Sequence, residues 1–161
     1  MFIYGFAPVF TQEVKILILG SVPSVTSLEN YEYYGYPRNQ FWSIMDTILD
    51  DSDISSYEKK LETMINNKIA LWDVIKSCYR KTSSDAMITN EKVNNFLWLF
   101  KTCPNIKSIY FNGAKAYDSF KRYVDKDLYM DKELIKLPST SPANTHKLEK
   151  KIAEWKRIKK R

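Results

Sequence analysis

Histidine occurs once in the 161 residues, cysteine twice and glycine four times. Each scarcity excludes a class of chemistry. Cys78 and Cys103, far apart, cannot form a disulfide scaffold, a structural zinc site or a four-cysteine iron–sulfur cluster. The glycines form neither GxGxxG nor a P-loop, because the Gly-Lys-Ser/Thr ending is missing after Gly20. GxSxG and HExxH are absent too, so serine-hydrolase and zinc-hydrolase readings have little support. No apolar run approaches the ~20 residues of a membrane span. The opening MFIYGFAPVF lacks the basic segment of a signal peptide. The length of 161 residues predicts one domain over residues 1–161, and these absences lead to the expectation that it is soluble, reduced and cytoplasmic, with no cofactor.

Hydrophobic residues make up 44% and aromatics 14%, enough for a packed core. The formal net charge of +6 is concentrated at the end. Eight basic residues between His146 and Arg161 face only Glu149 and Glu154. In the same stretch Leu148, Ile152, Trp155 and Ile158 recur at helical spacing, which predicts an amphipathic final helix with a basic outer face. Such a face is either solvated or presented to phosphates through Lys156, Arg157, Lys159 and Lys160. His146 reads as a surface residue of that helix.

Apolar runs predict strands at Val14–Leu19, Ile69–Trp72, Ser108–Phe111 and Glu133–Leu137. Helical patterns fall at Phe41–Leu49, Tyr57–Ile65, Glu91–Phe100 and Ala114–Tyr123, with Ser55 and Glu58 spaced as a capping box. Strands alternating with helices predict an α/β fold, a parallel sheet with helices on both faces. In such sheets ligands bind beyond the carboxyl ends of the strands. Those ends carry Gly20-Ser21-Val22-Pro23-Ser24, Asp73, Asn112-Gly113 and Pro138-Ser139-Thr140-Ser141-Pro142-Ala143-Asn144, so one polar site built from four loops is expected.

The local residues leave alternatives open. The Gly20–Ser24 segment is an ordinary turn or a ligand loop. Tyr33-Tyr34-Gly35-Tyr36-Pro37-Arg38-Asn39-Gln40-Phe41-Trp42 gathers five aromatics around Arg38 and Asn39. Asn39 suits a helix N-cap or a polar group beside a stacked base, and Phe41 suits the core or the stacking wall. Asp73 is a cap or a group aimed into the site; Asn112 shapes a turn or reads a heterocycle edge. The Ser139–Asn144 stretch is a rigid loop or, with its hydroxyls and N–H groups, a phosphate seat.

Taken in order, Gly20–Ser24, Ser27-Leu28-Glu29, Tyr33-Tyr34, Pro37–Trp42, Ala70–Val74, Phe111–Gly113 and Leu137–Pro142 resemble the uracil-DNA glycosylase superfamily. The likeness is greatest to its DNA-deoxyinosine, or hypoxanthine-DNA, glycosylase branch. The resemblance implies a three-layer α/β/α sandwich around a four-stranded, mainly parallel sheet. It also implies a monomeric, metal-independent, monofunctional enzyme that hydrolyses the N-glycosidic bond of a deaminated base in DNA: hypoxanthine, with uracil and xanthine as alternatives. By motif, Asn39 matches the catalytic asparagine, its amide oxygen orienting water. Phe41 matches the stacking residue and Asp73 the base-edge reader, with Gly20, Ser21 and Asn112 beside the base. Ser24, Arg38, Ser139, Thr140, Ser141, Pro142 and Asn144 would face the DNA backbone. Leu137 stands where other branches carry a histidine, which places the burden of catalysis on Asn39. The rival expectations are a non-catalytic module binding damaged DNA or nucleotide, and a hydrolase of free nucleosides.

Overall fold

The computed structural model describes residues 1–160, with the side chain of Lys160 outside the described set. In chain order the elements are β1 (Phe2–Tyr4), β2 (Ile16–Gly20), α1 (Val25–Asn30), α2 (Phe41–Ile48), α3 (Tyr57–Asn66), β3 (Ile69–Asp73), β4 (Ile75–Tyr79), β5 (Thr89–Val93), α4 (Phe96–Thr102), β6 (Ser108–Asn112), α5 (Ala114–Tyr123), β7 (Glu133–Leu137) and α6 (Leu148–Trp155). A 3₁₀ segment, Lys156–Lys160, continues α6.

The main sheet has the order β3-β2-β6-β7 and every neighbouring pair is parallel. All five residues of β2 are buried, as the unbroken apolar run ILILG requires of a strand covered on both faces. Alternation divides them. Ile16 and Ile18 join Phe41, Trp42, Met45 and Trp155 of α2 and α6 on one face. Leu17 and Leu19 join Phe96, Leu99, Ala116 and Phe120 of α4 and α5 on the other. Two helical layers around one sheet follow. From β2 the chain passes to one neighbour, β3, and later returns on the other side of β2 to β6. The strand order therefore reverses between β2 and β6, and a crevice opens at their carboxyl ends.

Three local expectations are corrected. The Glu91–Phe100 stretch is not one helix. Residues Thr89–Val93 pair antiparallel with β4, and a helix begins only where the Asn95 side chain accepts from Trp98 N–H at 3.1 Å. With β1, these strands make a small antiparallel sheet, β1-β4-β5, that the periodicity did not announce. The cap of α3 is Ser56, whose Oγ accepts from Lys59 N–H at 3.2 Å, and not Ser55, whose N–H donates to Asp53.

Phe41 is fully buried at the first turn of α2, edge-on to Trp42 and Trp155. Phe41→Ala should therefore cost about 3–5 kcal/mol, the range for truncating a buried aromatic. An unfolding free energy from urea titration lowered by that amount checks it; a variant as stable as the parent would contradict the core placement.

Candidate active site

The crevice holds a cavity of about 740 Å³, within the ordinary range for ligand sites. Gly20–Ser24, Asp73, Asn112 and Ser139–Asn144 all line it, together with Tyr33, Tyr34, Tyr36 and Asn39. The four strand ends named by sequence thus converge. A fifth wall, Ser83–Ala86, comes from the β4–β5 connection and was not foreseen. Ser21 Oγ donates to Asp85 at 2.8 Å and Val25 N–H donates to Ser83 Oγ at 2.9 Å, which ties this wall to the first loop. Behind that loop the buried Arg80 donates through Nη2 to the Pro23 carbonyl at 2.7 Å.

At the centre lies Thr140, fully buried. Its backbone N–H donates to Asn112 Oδ1 at 2.9 Å, and Asn112 Nδ2 donates back to Thr140 Oγ1 at 2.9 Å. That exchange fixes the Asn112 amide and leaves Thr140 Oγ1 to donate its proton to Asn39 Oδ1 at 2.7 Å. Phe41 N–H donates to the same oxygen at 2.9 Å. An amide oxygen has two lone pairs, and both are now used. Asn39 therefore accepts from the first N–H of α2, one residue ahead of the cap position Gln40, and lines the cavity at once, and its unengaged group is the Nδ2 amide NH2. The expectation that its oxygen holds the water is corrected: Asn39 offers the cavity donors. Asn112 is held by Thr140 through Oδ1 and one Nδ2 proton, and its side chain lies in the cavity wall.

The stacking wall is corrected as well. Tyr34 lies parallel on Phe41, ring centroids 3.9 Å apart and planes 21° apart, so Phe41 is behind it and Tyr34 faces the cavity. The aromatic run contained this residue, but nothing in the spacing separated the ring in front from the ring behind. Tyr34 has φ 54°, a left-handed conformation that only the surrounding contacts hold for a bulky residue. Its hydroxyl and Asp73 Oδ2 are buried without a hydrogen bond of good geometry, although the Asn112 side chain lies beside the hydroxyl. Both groups crowd Gly20, where a Cβ would stand 2.6 Å from Asp73 Oδ1 and 2.9 Å from Tyr34 Oη. Only glycine leaves that room. Gly113, with φ 93°, is the second constrained glycine: a Cβ there would meet Ser139 at 3.1 Å.

The other residues expected to face DNA are divided between the loops around the cavity and the end of the last helix. The Ser24 hydroxyl caps α1, accepting from Ser27 N–H at 3.1 Å. Within the Ser139–Asn144 loop the N–H groups of Ser141, Ala143 and Asn144 are consumed by Ser139 Oγ, Ser141 Oγ and the Ser141 carbonyl, so they are not a phosphate seat. Pro142 is exposed at its tip and Arg38 is exposed beside Asn39. Lys156, Arg157 and Lys159 do not reach the cavity. They follow α6 away from it, and Lys159 pairs with Asp50, beyond the far end of α2, at 2.9 Å. The side chain of Lys160 lies outside the described residues. Among the described residues no three His, Cys, Asp or Glu side chains converge as metal ligands, and no helix is long and apolar enough to cross a membrane.

Burial is the main reason that Asp73 is pushed up to about 7, with Asp85 adding to the rise and Arg80 opposing it. Burial and then Asp73 drive the Tyr34 hydroxyl well above its ordinary value. In the unfolded chain Asp73 releases its proton near 4, but in the fold it keeps it to about 7. Stability therefore falls as the pH rises from about 4 to about 7 and levels off above. At about 1.4 kcal/mol per pKa unit the ionised carboxyl costs about 4 kcal/mol. Asp73→Asn should raise the urea midpoint at pH 8 and change it little at pH 4. An equal change at both pH values would contradict this assignment.

The comparisons with known proteins agree with this geometry. The family model of the uracil DNA glycosylase superfamily matches residues 7–160. A hypoxanthine DNA glycosylase of Methanosarcina barkeri (strain Fusaro / DSM 804) is 37% identical over 160 residues, 98% of each chain. One of Methanosarcina acetivorans is 38% identical over 157 residues, 96% of each. The solution NMR structure of a Methanosarcina acetivorans protein presented as a candidate uracil DNA glycosylase superposes with a TM-score of 0.84 at 36% identity, covering 98% of this chain and 96% of that one. The parallel sheet, the convergent strand-end loops and these matches together place the chain in the uracil DNA glycosylase superfamily.

Proposed function

We propose that the protein is a monofunctional DNA glycosylase that removes a deaminated base, hypoxanthine first, from DNA. The observation that carries the reading is the pair of unsatisfied buried polar groups, Tyr34 Oη and Asp73 Oδ2, on the floor of an aromatic cavity. Buried polar groups without partners are rare in proteins, and in a cavity lined by Tyr33, Tyr34 and Tyr36 the edge of a base would supply the missing partner. A base lying on Tyr34 would stack, which is worth about 1–3 kcal/mol, and would bring an N–H to the Asp73 carboxyl. The hypoxanthine DNA glycosylases to which the chain is 37–38% identical support hypoxanthine as the base.

The base must leave the duplex to enter, at a cost of a few kcal/mol that is least for a mispaired base. The bond from the sugar C1′ to the base nitrogen then breaks, and its electron pair departs with the base. Positive charge develops on the sugar. The Asn39 Nδ2 donors, held in place by Thr140 and Phe41, serve where negative charge grows on the departing base. Water adds to C1′ and its proton passes to the departed base, leaving an abasic sugar and the neutral free base. No lysine lines the cavity among the described residues, so no amine stands ready to form a Schiff base and water is the nucleophile.

Single-turnover release of free base from duplexes carrying one hypoxanthine, uracil or xanthine tests the reading. Binding without release would favour the non-catalytic module. Asn39→Ala and Asn39→Asp should both lose on the order of 10²-fold in rate, because each removes the donor. Asn39→Asp at the parent rate would return the role to an acceptor that holds water.

A further inference from the structure

Lys151 was counted among the basic residues of the final helix, yet it is only 1% exposed. Its ammonium points inward. It donates to Gln40 Oε1 at 2.8 Å, to the Asn144 carbonyl at 2.9 Å and, at 3.5 Å, to the Ser141 carbonyl. All three partners are neutral. None of the ion pairs among the described residues involves Lys151. Burial lowers its pKa, and no charged neighbour supports it. A buried ammonium without a counter-charge is costly, and three carbonyl-type contacts offset only part of the lost hydration.

Its position gives that cost a use. The Ser139–Asn144 loop is held to the Asn39–Gln40 segment at two points. Thr140 makes one, through Asn39 Oδ1 and through its carbonyl, which accepts from Gln40 N–H at 3.0 Å. Lys151 makes the other, from beneath, by joining Gln40 to Ser141 and Asn144. Above it the loop ends in exposed Pro142 and Ala143, whose own N–H groups are absent or engaged. The tip therefore offers no free N–H, and the Lys151 ammonium lies under the loop.

We propose that Lys151 is a positioning residue of the DNA site, fixing the Ser139–Asn144 loop against Asn39–Gln40 and supplying one unneutralised positive charge that a backbone phosphate of bound DNA balances. The inference rests on the DNA-glycosylase reading. It separates Lys151 from the distal basic residues, of which Lys159 already has a carboxylate partner.

The test is a salt series of binding to undamaged duplex, with base release measured in parallel. Each phosphate neutralised contributes about 0.9 to the slope of log affinity against log salt. Lys151→Met should lower that slope by about 0.9 and weaken binding roughly tenfold near 0.1 M salt, with the difference closing towards 1 M. Lys151→Gln, which keeps an amide donor for the loop carbonyls, should lose the same slope. Folded variants with an unchanged slope overturn the proposal, while base release by the parent protein keeps the enzymatic reading intact. If the parent neither binds duplex nor releases base, both fall. Should neither variant fold, the side-chain NMR signals of Lys151 in the parent protein decide: they shift on titration with duplex under the proposal and stay fixed if the residue is structural only.

Discussion

The hydroxyl of Thr140 is the point on which the site depends. It accepts a hydrogen bond from Asn112 Nδ2 and donates one to Asn39 Oδ1, and the exchange at Asn112 leaves no freedom in the direction of either bond. Three separate pieces of chain, the end of β6, the loop after β7 and the turn before α2, are thereby locked at one buried atom. Such a relay orients the Asn39 amide before any ligand arrives. Preorganised donors of this kind are effective because no reorganisation is needed when charge develops. Lys151 secures the same loop from below and completes its fit to the Asn39–Gln40 turn.

Against that relay, whose oxygens are all engaged, stands a pair of groups left without partners. Tyr34 Oη and Asp73 Oδ2 have no partners, the Asp73 carboxyl is held near neutrality by burial, and Tyr34 sits at a left-handed φ. The protein bears these costs at Tyr34 and Asp73 and spares the neighbouring Asn39–Thr140–Asn112 relay. The division is consistent with a site whose reacting side is rigid and whose recognition side waits for a ligand. Glycine at position 20 is the local condition, since any Cβ would collide with both waiting groups.

Much of this was legible in the sequence, and the reasons are physical. Four parallel strands with polar ends read cleanly because strands buried on both faces are short continuous apolar runs. The convergence of Gly20–Ser24, Asp73, Asn112 and Ser139–Asn144 followed from the one-sidedness of parallel sheets. The antiparallel strands did not read: β5, Thr89–Val93, is a polar edge strand with no buried residue, and its charged residues at Glu91 and Lys92 imitate a helix face. The order of Phe41 and Tyr34 was hidden because both belong to one aromatic run and only the left-handed turn at Tyr34 folds its ring over the other. The directions of the amides at Asn39 and Asn112 were hidden too, for they are set by Thr140, distant in sequence from both. Lys151 read as a surface charge because helical spacing marks a stripe and not the polar socket at its edge.

The central claim is that Thr140 acts through Asn39, and a double-mutant cycle in single-turnover base release tests it. Thr140→Val removes the hydroxyl and keeps the shape and both backbone bonds. Alone it should slow release by about tenfold or more, the scale of one lost orienting hydrogen bond. In the Asn39→Ala background it should change the rate hardly at all, because the group it orients is gone. The same fold-loss in both backgrounds, or the parent rate in Thr140→Val alone, would contradict the account.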